Sequence, residues 1–247
     1  MTISKNKARK AYPIAIKGVV VEPIIESLKH KLIVSVQAYQ GEPLRHPETM
    51  AQMARACELG GCAAIRCQGL SDISAIKGRV EIPVIGLWKE GHEGVYITPT
   101  LRHARACVMA GSDIVALDAS DLPRPDGLTF EETVEALKKE GCLVMADCRN
   151  IEDIRRAAGC GCDIVSTTLS HGCAAIDCTA ADGPDLPLLR QATQEFPDIP
   201  VICEGRVHSP QDAVDAFEAG AWSVVVGTAI THPTSLTSWF VDAINEA

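Results

Sequence analysis

Eight short apolar runs divide the chain at regular intervals, and they constrain its fold more than any other feature. From Leu32 onward each run alternates with an amphipathic stretch of helical period, and most of these stretches end on glycine. The runs are almost continuously hydrophobic, which is typical of parallel strands that are covered on both faces. The predicted strands span 32–37, 63–66, 83–89, 113–118, 143–147, 163–168, 200–204 and 223–227.

Eight strand–helix units in roughly 220 residues predict an α/β fold, the (β/α)8 or TIM barrel. A doubly wound open sheet usually has fewer strands and a glycine-rich nucleotide turn, and the sequence contains neither GxGxxG nor a P-loop. The stretch "EPIIESLKHK" at 22–31 predicts an extra N-terminal helix that closes the bottom of the barrel. We therefore expect an N-terminal arm at residues 1–20 and a single barrel domain at 21–247.

Composition narrows the range of partners. The chain has 32 acidic and 23 basic residues, a net charge of −9, and no basic stripe, which argues against a nucleic acid partner. No apolar run approaches membrane-spanning length, and the basic first residues lack the apolar core of a signal peptide, so no membrane association is expected.

The eleven cysteines include no CxxC pair, which argues against a zinc site or a disulfide framework. Free cysteines behave as small buried hydrophobes, and their number favours a reducing compartment, so we expect a cytoplasmic protein. The histidines show no ligand spacing either. No metal site is therefore predicted.

Polar residues stand at the carboxyl ends of the predicted strands, where barrel enzymes place their active sites. Each of them alone is compatible with a turn cap or a solvated charge. Their convergence on one rim indicates a functional site. These residues are Gln37, Arg66, Lys89, Asp118, Asp147, Thr168, Glu204 and Gly227.

The loops after the seventh and eighth strands, "EGRVHSP" and "GTAI", indicate a phosphate site. Arg206 can donate paired hydrogen bonds to phosphate oxygens, and Gly205 and Gly227 let backbone amides approach closely. The alternative for Gly227 is a simple tight turn. Ser209-Pro210 is interpreted as the start of a helix.

Lys89 and Glu204 follow the third and seventh strands, which face each other across a closed barrel of eight strands. The two side chains are thus expected to approach a central ligand from opposite sides. Such a pair suits proton removal and return at a carbon next to a carbonyl group, which is the chemistry of an epimerase.

At these residues the sequence resembles the N-acylglucosamine-6-phosphate 2-epimerases, also called N-acetylmannosamine-6-phosphate 2-epimerases, of bacterial sialic acid catabolism. The motifs that carry the resemblance include "LIVSVQA", "IPVIGLWK", "LVMADC", "DIVSTTLS", "PVICEGRVHSP" and "VVVGTAITHP". The resemblance implies that N-acetylmannosamine 6-phosphate and N-acetylglucosamine 6-phosphate are interconverted without a cofactor. It implies catalytic roles for Lys89 and Glu204. It also implies that Gln37, Arg66 and Asp147 line the sugar site and that Arg206 and Gly227 hold the phosphate group. The strand ends and loops described above add Thr168 and Gly205 to these substrate-binding residues.

The sequence departs from that family in two places. The family usually continues "TTLS" with "GYT", whereas this chain has "HGCAAIDCTAADGPDL", and Glu90 replaces the arginine that usually follows the lysine. Two alternatives remain open from the residues: an aldolase or lyase that forms a Schiff base through Lys89, and a non-catalytic sugar-phosphate-binding barrel. The expected partner is a small sugar phosphate. A homodimer is also expected, although no residue pattern specifies the oligomeric state.

Overall fold

The computed structural model describes residues 14–16, 19–170 and 183–247. The strands are β1 (Ile14–Ile16), β2 (Val19–Val21), β3 (Leu32–Val36), β4 (Ala64–Gln68), β5 (Val84–Leu87), β6 (Ile114–Asp118), β7 (Leu143–Asp147), β8 (Ile164–Ser166), β9 (Val201–Glu204) and β10 (Ser223–Val226). The helices are α1 (Pro23–Glu26), α2 (Pro47–Leu59), α3 (Leu70–Lys77), α4 (Leu101–Met109), α5 (Phe130–Lys139), α6 (Ile151–Gly159), α7 (Leu186–Glu195), α8 (Pro210–Glu218), α9 (Thr228–Thr231) and α10 (Pro233–Asn245).

Strands β3 to β10 form a closed parallel barrel in chain order, with β10 pairing β3. The predicted TIM barrel is confirmed, and each strand begins and ends within two residues of its predicted bounds. Helices follow the strands and cover them from outside, so that side chains facing the helices form one large apolar cluster. This covering on both faces is the reason that the strands are almost continuously apolar in sequence.

The barrel interior changes from apolar to polar along the strand direction. Alternate residues of a strand face the same side, so Met145 and Asp147 of β7 both point inward, as do Ile202 and Glu204 of β9. The lower residues join a buried interior cluster with Ile33 and other strand residues. The polar residues two positions later lie above this cluster, at the carboxyl ends.

The predicted N-terminal helix is present but shorter than the stretch 22–31, because α1 ends at Glu26 and the chain continues in turns. Ile25 and Leu28 are fully buried against the interior cluster. Trp222, just before β10, donates through Nε1 to the Ile25 carbonyl at 3.1 Å. The segment is thus fastened at the amino ends of the strands, opposite the polar residues.

Before this segment, β1 and β2 pair as an antiparallel ribbon. The division into an arm of residues 1–20 and a barrel domain of residues 21–247 stays a prediction, because most of the arm lies outside the described residues. None of the described helices is long and apolar enough to cross a membrane.

Helix α8 begins where the sequence predicted. The Ser209 side chain accepts from the Asp212 amide, the Asp212 carboxylate accepts from the Ser209 amide, and Pro210 is the first helical residue. The same Asp212 oxygen accepts from the His208 amide at 2.9 Å. This capping box fixes the loop that follows Glu204.

Candidate active site

A cavity of about 1050 Å³ opens at the carboxyl ends of the strands. It is lined by eight of the ten residues that the sequence placed at the site, and the other two, Asp118 and Asp147, are buried and do not line it. The predicted residues that line it are Gln37, Arg66, Lys89, Thr168, Glu204, Gly205, Arg206 and Gly227. The barrel therefore gathers the sequence-predicted residues into one place.

Arg66 is the cation at the centre of this cavity. It donates to both oxygens of Asp147, from Nη1 at 2.9 Å and from Nη2 at 2.6 Å, and Nη1 also lies 2.8 Å from Glu204 Oε2. Burial opposes the charge of Arg66, but Asp147 and Glu204 outweigh burial and raise its pKa. The guanidinium thus stays charged, and it lies within β4, two residues before the strand ends at Gln68, rather than at the predicted end.

Glu204 is the last residue of β9, and its side chain is 12 % exposed. Burial raises the pKa of this carboxyl group to about 7, although Arg66 favours its ionised form. Thr168 Oγ1 lies 3.0 Å from Glu204 Oε2 and 3.0 Å from Asp147 Oδ1. A hydroxyl group has one proton to donate, so a protonated Glu204 satisfies both contacts by donating to Thr168 while Thr168 donates to Asp147.

Lys89 lies two residues after β5, on the inward face that Leu87 also occupies. Burial and the nearby Arg66 charge lower the pKa of its ammonium group to about 8. Its Nζ lies 5.5 Å from the centre of the Tyr39 ring. Lys89 and Glu204 therefore line one cavity, and the pKa of each is shifted towards neutral pH, to about 8 and about 7.

This convergence suits a proton exchange between two partners. Either a neutral Lys89 with a protonated Glu204 or a charged Lys89 with an ionised Glu204 leaves these two groups neutral in total. A proton can pass from one to the other through a bound molecule without leaving a net charge in the buried site. Such matched groups are typical of general acid–base catalysis.

Gln37 has one polar atom to spare. Its Nε2 donates to Ser35 Oγ at 2.9 Å, while its buried Oε1 has no hydrogen-bond partner within the described ranges. A buried acceptor without a partner is costly, and a hydroxyl or amide of a ligand in the cavity would satisfy it.

Glycine occupies the two positions of the predicted phosphate site for different structural reasons. Gly205 has φ +102°, which side chains of L-residues rarely adopt. Gly227 precedes α9, and a Cβ there would lie 3.3 Å from Ser35 Cβ. Both glycines line the cavity, and a role for their backbone amides in binding phosphate stays a prediction.

Arg206 lines the cavity, but its donors already have protein partners. Its Nε donates to the Gly183 carbonyl at 2.8 Å and its Nη1 to the Ser170 carbonyl at 3.1 Å, and Nη2 donates to Ser170 Oγ at 3.3 Å. A phosphate contact from Arg206 stays a prediction. The observed bonds give the residue a structural role between two loops.

Sequence reasoning missed three residues near the reacting groups. Ser166 Oγ lies 3.1 Å from Asp147 Oδ1, and its position two residues before Thr168 on the same strand face could have indicated it. Tyr39 and Tyr96 also line the cavity, and they come from loops, where no strand period places a side chain. Burial raises the pKa of Tyr96 to about 12, so its hydroxyl group remains a donor.

Asp118 caps a turn, which is one of the structural alternatives considered above for a polar residue at a strand end. Its Oδ1 accepts from the Ser120 amide at 2.8 Å, as in a turn cap.

The altered loop at 170–183 lies almost wholly outside the described residues, with Ser170 and Gly183 at its two ends. In the part of the chain that is described, no three His, Cys, Asp or Glu side chains group as metal ligands would.

Comparison with known proteins agrees with this geometry. Residues 50–246 match the family described as "Putative N-acetylmannosamine-6-phosphate epimerase". A protein from Cutibacterium acnes named "Putative N-acetylmannosamine-6-phosphate 2-epimerase" is 56 % identical over 90 % of this chain and 96 % of its own. A protein of the same name from Caldanaerobacter subterraneus is 46 % identical over 90 % and 94 %.

Solved structures extend the likeness to three dimensions. The N-acetylmannosamine-6-phosphate 2-epimerase from Clostridium perfringens superimposes with a TM-score of 0.83 at 38 % identity, covering 90 % of this chain and 96 % of that one. A thiamine phosphate pyrophosphorylase from Pyrococcus furiosus, at 16 % identity and a TM-score of 0.58, shares the fold alone. The matched region runs through β4 to α10 and so includes Arg66, Lys89, Asp147 and Glu204. This chain therefore belongs to the N-acetylmannosamine-6-phosphate epimerase family.

Proposed function

We propose that this protein interconverts N-acetylmannosamine 6-phosphate and N-acetylglucosamine 6-phosphate by moving a proton at C2 of the open-chain sugar, a step of sialic acid and amino-sugar breakdown. One observation carries the proposal. Lys89, with a pKa of about 8, and Glu204, with a pKa of about 7, share a cavity with Arg66, which Asp147 holds from beneath. Membership of the epimerase family supplies the substrate.

In one direction, neutral Lys89 removes the C2 proton, and the electrons of the C2–H bond form an enolate with its charge on the aldehyde oxygen. Protonated Glu204 then returns a proton to the opposite face of C2. In the other direction, ionised Glu204 removes the proton and the Lys89 ammonium group returns one. Each direction starts from the protonation state that the other one leaves.

The Arg66 guanidinium is proposed to stabilise the enolate. Arg66 is already oriented by Asp147, whose Oδ1 also accepts from Ser166 and Thr168, so little reorganisation is needed when charge develops. Preorganised charges of this kind usually make the largest contribution to catalysis. Thr168 keeps Glu204 aligned by contacting its Oε2.

The remaining predicted residues are proposed to hold the ends of the sugar. The backbone at Gly205 and Gly227, with Arg206, would bind the phosphate group, as loops seven and eight do in many barrels. Gln37 would bind a hydroxyl or acyl amide group through its unpaired Oε1.

The test is epimerisation of N-acetylmannosamine 6-phosphate in deuterium oxide by the wild-type chain and by Lys89→Ala and Glu204→Gln. We expect deuterium at C2 of the product in the wild type, and a loss of turnover of about 10²–10⁴-fold in each variant. Conversion without deuterium at C2, or full activity in both variants, contradicts the proposal. A borohydride-trapped adduct on Lys89 would instead support the lyase alternative.

A homodimer is proposed as the assembly. Helix α10 has no buried residue, and Phe240 and Ile244 on it are each 72 % exposed. A second copy of the chain would cover these side chains, since exposed apolar patches usually mark interfaces. Sedimentation of the wild type as a dimer and of Phe240→Glu as a monomer would support this proposal, and a monomeric wild type would refute it.

A cytoplasmic location and the absence of nucleic acid partners are proposed as well. The nine cysteines in the described ranges are all free thiols, as in a reducing compartment. Cell fractionation tests the location. Retention on a DNA column at physiological salt would contradict the second expectation.

A further inference from the structure

Lys89 is not held by the barrel ladder, although the proposed reaction requires its Nζ to stay in place. It lies beyond the last residue of β5, Leu87, in the segment that leads to α4. An isolated antiparallel bridge pairs Lys89 with Ile97. The conformation of Lys89 must therefore be set by the residues that contact its two chain neighbours, Trp88 and Glu90.

On the inner side, Thr98 holds both backbone polar groups of Trp88. The Thr98 amide donates to the Trp88 carbonyl at 2.8 Å, and Thr98 Oγ1 accepts from the Trp88 amide at 3.2 Å. After Lys89, the Glu90 amide donates to the Tyr96 carbonyl at 3.0 Å. The peptide on each side of Lys89 is thus fixed by a residue of the returning chain.

Thr98 makes these contacts in a conformation that is unfavourable for it. Its φ is +49° and the residue is fully buried, and a β-branched residue in this region is a genuine outlier. Strained residues of this kind persist where the surrounding structure fixes them, and they cluster at functional sites. A glycine would adopt this φ without strain but would lack the hydroxyl group that Trp88 uses.

On the outer side, His103 contacts the side chains of both neighbours of Lys89. Its ring packs edge-on against Trp88 with 4.4 Å between centroids, and its Nε2 contacts the Glu90 carboxylate. His103 Nδ1 lies 2.6 Å from Oγ1 of Thr100, the residue that caps α4. Both ring nitrogens of His103 are therefore engaged, Nε2 with the Glu90 carboxylate and Nδ1 with the Thr100 hydroxyl group.

We propose that Thr98 and His103 are positioning residues that together fix Lys89 for proton transfer. Thr98 fixes its backbone from inside the barrel, and His103 anchors the residues before and after it to the first turn of α4. We name this pair the lysine clamp. The inference rests on the proposed epimerase function and adds two residues to it, neither of which touches the reacting atoms.

The clamp acts on proton affinity through position. Burial and Arg66 lower the pKa of Lys89 to about 8, so movement of its side chain towards solvent raises that pKa. A smaller fraction of Lys89 is then uncharged at neutral pH and able to remove a proton. The charged and titratable groups that surround Lys89 are Arg66, Glu204, Asp147, Tyr39 and Glu90.

The experiment compares Thr98→Val, which keeps the branched shape and removes the acceptor, with Thr98→Ser, which keeps the acceptor. Thr133→Val is the matched control, because Thr133 is equally buried and its hydroxyl group donates to the Thr129 carbonyl within α5, away from the cavity. For Thr98→Val we expect kcat to fall by about 10- to 100-fold with KM within about threefold. Thr98→Ser and Thr133→Val should keep kcat within about threefold.

A second readout does not depend on turnover. The pH at which Lys89 is half-labelled by acetic anhydride, read by peptide mass spectrometry, should rise above the wild-type value of about 8 in Thr98→Val and stay there in Thr133→Val. If the wild type labels as expected but turns over no N-acetylmannosamine 6-phosphate, the proposed function fails while the clamp stands. A Thr98→Val protein that matches Thr133→Val in both kcat and labelling overturns the clamp.

His103→Phe keeps a ring against Trp88 and removes both hydrogen bonds, and it tests the clamp independently if Thr98→Val does not fold. We expect kcat to fall by at least about fivefold with the same upward shift in labelling pH. Wild-type kcat and wild-type labelling in His103→Phe would remove His103 from the clamp.

Discussion

Arg66 Nη1 lies 2.8 Å from Glu204 Oε2 while the same guanidinium holds Asp147 through both of its oxygens. One cation thus serves two carboxyl groups that differ in surroundings, since Asp147 is fully buried and Glu204 borders the cavity. Burial raises the pKa of Glu204 to about 7, although Arg66 favours its ionised form, and this value lies near the pH at which a proton can be exchanged.

The first prediction concerns the pH dependence of activity. Below pH 7 Lys89 and Glu204 are both protonated, and above pH 8 both are deprotonated, so the pair shares a single proton only in between. We expect kcat/KM to follow a bell with apparent pKa values near 7 and 8, which belong to the pair rather than to either residue. Both reaction directions need one shared proton, so a kcat/KM profile that changes through a single pKa and then stays flat would contradict the two-residue exchange.

The second prediction concerns stability and pH. The pKa of Glu204 is raised in the folded chain, from 4.5 to about 7, so the folded state binds its proton more tightly. Its contribution to stability is therefore present below pH 4.5 and is lost as the pH rises through 7. Measured by urea unfolding from pH 5 to pH 8, the free energy of unfolding of the wild type should fall relative to that of Glu204→Gln.

The control for this measurement is Glu135→Gln. The pKa of the exposed Glu135 carboxylate is lowered by its hydrogen bond with Lys139, so its linkage has the opposite sign. The wild type should not lose stability relative to this variant as the pH rises. A parallel loss in both comparisons would show that the Glu204 effect is not specific.

The third prediction concerns removal of the central cation. Arg66→Gln leaves two buried carboxyl groups without their partner, which should cost about 3–5 kcal/mol of unfolding free energy at pH 8. The loss should be smaller at pH 5, where Glu204 binds a proton. Arg79→Gln, which breaks a half-exposed pair with Glu48, should cost less than about 1 kcal/mol. Equal losses in the two variants at pH 8 would refute the central role of Arg66.

The fourth prediction separates strain from function at a glycine. Gly205→Ala and Gly127→Ala both place a side chain at positive φ, +102° and +77°, with no heavy atom closer than 3.7 Å to the new Cβ. Each should lose about 1–2 kcal/mol of stability. Only Gly205→Ala should also lower kcat/KM, by about tenfold or more, because it shifts Glu204 next to it. A tenfold loss in Gly127→Ala would show that strain alone explains the effect.

The sequence was sufficient for the barrel and for bringing most of the candidate residues to one rim. The strands are buried on both faces and therefore apolar throughout, and a charged residue at such a strand's end, as at Glu204, has few structural explanations. Spacing by two residues also places Asp147 and Glu204 on the inner face. These features depend only on local pattern and on the rule that barrel strands point their carboxyl ends at one rim.

Contacts between loops could not be predicted in the same way. The approach of Tyr39 to Lys89, the left-handed backbone of Thr98 and the bonds of Arg206 all depend on how segments distant in sequence meet. Arg206 shows the difference most clearly, because its residue type suggested a phosphate ligand while its guanidinium donates to carbonyl oxygens of the protein. The residue type limits the partners that a side chain can bind, and the tertiary structure determines which of them lies within reach.

The guanidinium of Arg206 joins Ser170 to Gly183, the two residues that border the segment 171–182. The ends of that segment are therefore fixed independently of the number of residues between them, and the entropic cost of closing a loop grows only slowly with its length. Insertions, deletions and substitutions between Ser170 and Gly183 should leave the barrel intact. The segment 171–182 can therefore differ in length and composition while Arg206 keeps the two loops at the rim in the same place.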